Sequence, residues 1–389
     1  MTDRKYLLLG SCWLFVSWLF AYRAMLIAFL PSIVSSLSLT NTMAGGLIGM
    51  LWTADSLAAY PSGLATAYLS RKRLLLLSIA LSSSFMLLFV FSSSFPIMLI
   101  SLFFAGLGFG AYYPLGISII SEKFRGGRLG TFIGLHETGV PIGMTIGPMI
   151  ASVFMISNFS WNTSLFIGLF ALPPIVVLLS STIGRDKIIT RSKRLWFKPD
   201  SWSIYLRVII LSICWVGLDS GFSSMIPVYM VDSLHVDISE AAFVFGATRF
   251  FGIAGIVIAG FLSDKFNKVR ILLATASIAT SAAVLIAIMP YNLVFAVAMA
   301  ILAAASSSYW PLVITILSKI SSMDDLPKII GFQGLTCGLL GGGLTPVIIG
   351  YIADLINFKT AFIYPIALGL LGILIALSLN IAKKGSTRE

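Results

Sequence analysis

Six titratable side chains stand inside otherwise apolar runs of this sequence: Arg23, Asp55, His136, Glu137, Asp219 and Arg249. Arg23 is the sole charge between Tyr6 and Asn41. A charge at the centre of a bilayer costs about 2.5–3.5 kcal/mol on insertion scales, so such residues usually line a cavity and mark a pathway. The plainer alternative is a buried ion pair that fixes helix packing. An arginine supplies a planar fork of donors matched to carboxylate or phosphate. A carboxylate withdrawn from water favours its neutral form, and one beside an arginine its ionised form. Asp55, Glu137 and Asp219 are therefore candidates for holding a proton when alone and releasing it when an arginine is freed. His136 reads equally as a packed, hydrogen-bonded residue or as a proton relay. With no nucleophile–base arrangement or metal-ligand cluster in the chain, we expect no enzyme, no cofactor and no metal.

The elements that must position these groups are membrane helices. The chain has 389 residues, 58% hydrophobic and 11% charged, with mean hydropathy +0.99. That is far less charged than an ordinary soluble protein. The apolar residues fall in twelve continuous blocks near the ~20-residue length of a membrane-spanning helix. They cover roughly 6–34, 43–69, 74–94, 96–121, 129–156, 162–183, 203–231, 240–262, 271–289, 293–318, 329–356 and 361–381. An all-α, polytopic membrane protein is expected, with the lipid bilayer as its solvent. The net charge of +11 might suggest nucleic acid as a partner, but its distribution excludes that reading. With a cytoplasmic N-terminus, the cytoplasmic loops and tails hold 22 of the 26 Lys and Arg, and the opposite loops hold only Lys359. This positive-inside bias places both termini in the cytoplasm, and the plasma membrane is the expected location. Cys12, Cys214 and Cys337 fall inside helices and imply no disulfide framework.

The longest polar break, 184–202, separates two sets of six blocks. Residues 112–121, "YYPLGISIIS", match 309–318, "YWPLVITILS", at six of ten positions. The offset of 197 also joins Gly63 to Gly260 and Gly134 to Gly331, while Pro148 pairs with Pro346 one residue out of step. Parallel repeats of this kind are a transporter architecture, with a substrate site expected between the halves near the midplane. The domains expected are 1–183, a six-helix bundle, then a linker over 184–202, then a second bundle over 203–389. The fold is expected to act as a monomer.

The stretch "GFLSDKFNKVR" resembles the loop signature between the second and third helix of each half in the major facilitator superfamily. Gly260, Asp264, Lys265 and Lys268 match it. The first-half copy keeps Gly63 and Arg71 but has Ala67 in place of the aspartate. The resemblance implies the two-bundle fold of that family, with Asp264, Lys265 and Arg71 steering conformational change rather than touching substrate. Topology-setting alone is the other reading of the basic residues. Helix 5 carries "GMTIGP", similar to the glycine-rich fifth helix of the family, and we read Gly139, Gly143 and Gly147 as close helix packing.

Counting about 1.5 Å per residue puts Arg23, Asp55, Asp219 and Arg249 near one level, at the midplane. The repeat relates Arg23 to position 220, next to Asp219, and Arg249 to Trp52, one turn from Asp55. Helix 1 resembles that of the anion:cation symporter branch, whose arginine is matched by Arg23, with Tyr22 where that branch often has aspartate. Arg249 is similar to a helix 8 arginine of monocarboxylate and oxalate transporters. These resemblances imply proton-coupled transport of a small organic anion. Arg23 and Arg249 would bind it, with Tyr22, Trp52, Tyr112, Tyr309 and Trp310 lining or gating the cavity, while Asp55, Asp219, Glu137 and His136 would carry the proton. The runner-up is a proton-driven exporter of hydrophobic or cationic compounds, in which Asp55, Glu137 and Asp219 bind the cation.

Overall fold

A computed structural model describes residues 2–124, 129–184, 198–322 and 325–385. Within them the chain is all helix and turn. The twelve main helices are α1 (Arg4–Ala28), α2 (Asn41–Ala65), α3 (Arg71–Val90), α4 (Phe95–Lys123), α5 (Thr131–Ile156), α6 (Trp161–Thr182), α7 (Trp202–Asp232), α8 (Ile238–Leu262), α9 (Lys268–Ile288), α10 (Leu293–Leu317), α11 (Lys328–Leu355) and α12 (Phe358–Leu379). Each falls within a few residues of an expected apolar block. The first block divides: after α1 a short helix, Leu30–Leu37, opens on Pro31, whose fixed φ and missing N–H suit a first turn.

Eleven of the twelve helices are long and apolar enough to cross a bilayer. The exception, α2, is 25 residues long, ample for a span, but it carries Asn41, Thr42, Thr53, Asp55, Ser56 and Ser62 among its apolar positions. Helix starts follow local chemistry. Ser201, Asn267, Asn292 and Asn357 each accept a backbone N–H of the first turn of the helix that follows, satisfying a donor that would otherwise lack a partner. Large apolar side chains such as Val153, Val177, Val257, Phe261 and Leu374 are exposed. On a chain this apolar, those faces meet lipid rather than water.

The chain forms two compact units. The first holds Met1–Ser38, Met50–Lys193 and Asp237–Gly246; the second holds Leu39–Gly49, Arg194–Val236 and Ala247–Glu389. In the first unit α5 lies on α1 at backbone contact. A Cβ on Gly143 or Gly147 would collide with the carbonyl oxygens of Ser17 and Ala21, so the glycines of "GMTIGP" are there for close packing. Gly106 and Gly110 of α4 seat the same way on α2, Gly110 against the carbonyl of Asp55 itself. In the second unit, α7 and α11 each widen into one π turn, over Gly217–Gly221 and Gly338–Gly343. Residues 39–49 pack on α11, with Gly45 and Gly49 against the Pro346 and Gly343 carbonyls.

Candidate functional site

The titratable residues set within the apolar runs sort into three centres. The first lies in the first unit, where α1 presents Arg23 and α2 presents Asp55. An Nη of Arg23 donates to Asp55 Oδ1 in an ion pair. The arginine is 7% exposed, and Phe20, Trp52 and Phe109 surround its guanidinium, with ring centroids 5.5, 5.7 and 5.1 Å from Cζ. Its Nε is buried and has no hydrogen-bond partner among the described residues. Five N–H donors on one planar group facing a single carboxylate oxygen leave strong donor capacity over. Tyr22 is directed elsewhere: its hydroxyl donates to Leu165 O of α6 at 3.1 Å, and its ring stacks on Trp18 at 5.3 Å.

The second centre, in the second unit, inverts the arrangement. Asp219 sits in the π turn of α7, and Arg249 closes the first segment of α8, before a break at Phe250. Arg249 Nη1 donates to Asp219 Oδ1 at 3.0 Å. In both pairs the arginine is the buried partner, at 8% and 9% side-chain exposure, and the aspartate is the accessible one, at 22% and 23%. Trp52 stands against Arg23, while Trp310 is 39% exposed. Tyr309 is fully buried, stacked on Trp215 at 4.7 Å, and donates to Ser212 Oγ at 2.6 Å.

The third centre is a chain of hydrogen bonds in the first unit. Tyr112 OH lies 2.8 Å from both Cys12 O and His136 Nε2. His136 Nδ1 is 3.0 Å from Glu137 Oε1, and Tyr113 OH donates to Glu137 Oε2 at 3.1 Å. His136 and Tyr112 are buried, and Glu137 is 35% exposed. Position-counting along the sequence joined neither tyrosine to this pair. Both belong to α4 and reach α5 across a helix contact that no spacing within one helix encodes.

Comparison with known proteins places the whole arrangement. Residues 12–291 and 208–388 match the sequence profile of the Major Facilitator Superfamily. The chain belongs to the Major Facilitator Superfamily. Membership of that family agrees with the expected multi-pass, all-α membrane architecture. The chain is 27% identical over 246 residues to the 3-(3-hydroxy-phenyl)propionate transporter of Escherichia coli (strain K12), covering 57% of each chain. It is 23% identical over 202 residues to a probable 4-methylmuconolactone transporter of Cupriavidus pinatubonensis, covering 49% of this chain and 47% of that one. The chain thus spans about half the length of these curated relatives.

Among solved structures it superposes on an inward-facing bacterial homologue of the human lysosomal transporter Spinster, with TM-score 0.80 and 15% identity over 97% of both chains. It also superposes on the human organic anion transporter MFSD10, with TM-score 0.70 and 13% identity over 96% of this chain and 99% of that one. For the E. coli fucose:proton symporter the values are 0.65 and 18%, over 96% and 97%. These identities establish the shared fold.

The loop residues that resemble the superfamily signature take definite places. Arg71, at the start of α3, is 4% exposed and forms an ion pair with Glu122, while its Nη1 donates to Ser118 O and Oγ at 3.2 and 3.1 Å. Glu122, near the end of α4, went unread in the sequence because the signature searches for an aspartate at position 67. Among the described residues, a Cβ added to Gly63 or to Gly260 would meet nothing within 4 Å. Lys265 Nζ lies 4.2 Å over the Phe261 ring, and Lys268 opens α9. The Asp264 side chain and the linker residues 185–197 lie outside those described.

Proposed function

We propose that this superfamily member is a secondary transporter that works by alternating access and carries a small organic anion with protons, Arg23 being the group that binds the carboxylate. One observation carries the reading: a guanidinium nine-tenths buried, paired to one carboxylate oxygen, with a buried Nε that has no partner among the described residues. A bidentate carboxylate satisfies Nε and an Nη together, which a single aspartate oxygen does not. The three aromatic rings around the guanidinium supply an apolar wall for the remainder of the anion. An aromatic carboxylate suits such a wall, and the E. coli relative named for 3-(3-hydroxy-phenyl)propionate lends support. Arg249, paired to Asp219, is the corresponding centre of the other unit. Asp55 and Asp219 hold these arginines while no substrate is bound. The proton-driven exporter draws support from one feature, the greater accessibility of both aspartates, which would offer a cation its counter-charge.

Thermal unfolding of detergent-purified protein with 3-(3-hydroxyphenyl)propionate, benzoate, succinate and a lipophilic cation separates the two. At 100 times its dissociation constant a ligand stabilises by about 2.7 kcal/mol. Stabilisation by a carboxylate, abolished in Arg23→Gln, is the expected result. Stabilisation by the cation alone, lost in Asp55→Asn or Asp219→Asn and kept in Arg23→Gln, would overturn it.

A further inference from the structure

The buried hydrogen-bond chain Cys12–Tyr112–His136–Glu137–Tyr113 contains one proton too many for an ordinary neutral histidine beside an ionised glutamate. The Tyr112 hydroxyl has a single hydrogen. Cys12 O only accepts, so at 2.8 Å it takes that hydrogen. The tyrosine oxygen is then an acceptor toward His136 Nε2, also at 2.8 Å, and Nε2 must carry a proton. The 3.0 Å contact from Nδ1 to Glu137 Oε1 needs a second proton between them, on the ring as imidazolium or on the carboxyl. Without it two lone pairs would face each other. Tyr113 donates to the remaining carboxyl oxygen and closes the chain.

We propose that His136 and Glu137 form a one-proton binding site, held loaded by Tyr112 and emptied by movement at the break in α5. This deepens the proton-coupled reading above and rests on it only for its role in transport. The balance of the step is simple. The loaded pair gives neutral Nε2–H imidazole, a carboxylate and one proton. The O–H or Nδ1–H bond breaks, its electron pair stays on that atom, and water at the accessible face of Glu137 takes the proton. While Tyr112 holds the ring, release would set the bare Nδ1 against the new carboxylate, so the proton stays until the segment bearing both residues shifts, His136 leaves Tyr112 and the ring can turn.

Glu137 sits where such movement is built in. Helix α5 is broken at Thr138, between Leu129–Glu137 and Gly139–Ile156. Pro141 has no N–H for the carbonyl of Glu137, and the neighbouring Ile142-to-Thr138 bond is stretched to 3.4 Å. Beyond the break, Gly143 and Gly147 lock α5 to the α1 backbone. The segment that carries both His136 and Glu137 therefore lies across the break from that lock, and is the one placed to shift. Among the described residues, the titratable and charged groups facing the pair are few. From α1 comes Cys12, from α4 come Tyr112 and Tyr113, and beyond Tyr113 stands the Arg23–Asp55 pair. The rest of α5 past Glu137 brings none.

The internal repeat supplies a control within the molecule. At the offset of 197, Tyr112, Tyr113, His136 and Glu137 correspond to Tyr309, Trp310, Gln333 and Gly334. There Tyr309 OH and Gln333 Nε2 both lie 2.6 Å from Ser212 Oγ, and Gln333 is fully buried. The same architecture in the second half carries an amide that binds no proton. Only the first half has been given the titrating version.

The chain has two histidines, and His235 is exposed, so a His235→Gln background leaves His136 as the one imidazole to observe. NMR of its isotope-labelled ring nitrogens in the detergent-purified protein reads the proton count directly, from about pH 5 to about pH 8. The expected result is a protonated Nε2 throughout, with a second proton at Nδ1 or shared with the carboxyl. That second proton is lost in Glu137→Gln. A bare Nε2 accepting from Tyr112, with Nδ1–H donating to an ionised Glu137 over the whole range, overturns the proposal. In proteoliposomes, His136→Gln should bring 3-(3-hydroxyphenyl)propionate uptake with an imposed proton gradient down to the level without one. His136→Gln copies a residue the second half already accommodates, and an unchanged melting temperature distinguishes lost coupling from misfolding. Gradient-driven uptake that persists in a folded His136→Gln protein also overturns the role in coupling. No carboxylate uptake by the wild type, alongside a doubly protonated His136, sinks the anion reading and leaves the proton site standing.

Discussion

At the scale of single residues, the sequence disclosed which positions were chemically costly but not what each one touches. Arg23 and Asp55 are 32 positions apart, and only the seating of α1 against α2 makes them a pair. Glu122 shows the opposite limit. A carboxylate near a helix end is ordinary in sequence, yet it is the partner of a buried arginine. Removing it leaves the Arg71 guanidinium with Ser118 as a weaker partner, so Glu122→Ala is expected to lower stability by about 1–2 kcal/mol in thermal unfolding, discounted for the accessible carboxylate. The cap of α8 gives a pH signature. Asp237 accepts from the Ser239 hydroxyl and from the backbone N–H groups of Ser239 and Glu240, at 2.8 and 3.3 Å. These bonds, the hydroxyl's foremost, hold its carboxyl below the usual 3.8. A depressed carboxyl stabilises fully above its unfolded value and loses that contribution as pH falls through the folded one. The melting-temperature advantage of the wild type over Asp237→Ala should be complete at neutral pH and shrink below 3.8.

At the scale of elements, the twelve apolar blocks were legible because a bilayer demands long continuous runs, and the helices fall close to them. Their interruptions were only partly so. The prolines of "YYP" and "YWP" announce breaks at Ala111 and Ser308, one residue before each pair of aromatics. The π turns announce themselves by no residue type, since an i→i+5 bond needs room rather than a particular side chain. Glycines divide in the same way. A Cβ on Gly147 would meet the Ala21 backbone, whereas one on Gly63 would meet nothing within 4 Å among the described residues. Gly147→Val should part α5 from α1 at a cost of about 2–3 kcal/mol, and Gly63→Ala should stay within about 0.5 kcal/mol, both read from thermal unfolding. In sequence the two glycines look equally conspicuous.

At the scale of the whole molecule, the repeat and the charge bias were the strongest sequence signals, because both sum over hundreds of residues. The orientation they imply has a direct test. Cys12, Cys214 and Cys337 are all buried, so thiol labelling of intact cells begins from a low background. Ser233→Cys, in the acidic loop after α7, should react with a membrane-impermeant reagent, and Ser322→Cys, among the basic loops, should react only after permeabilisation. The reverse pattern would invert the topology.

The wide turn in α11 carries a further meaning. Eleven residues separate His136 from Pro148 in α5, and twelve separate Gln333 from Pro346 in α11. The two copies start in step and finish one residue apart, and the π turn at Gly338–Gly343 lies between those points. The longer copy carries its extra residue across that turn. One added residue, instead of twisting the rest of α11 onto a new face, was swallowed within a single loosened coil lined with glycine. A chain lacking Gly342 should therefore keep both ends of α11 where they are and return its middle to the α-helical ladder that the first copy shows over Gly139–Ile156.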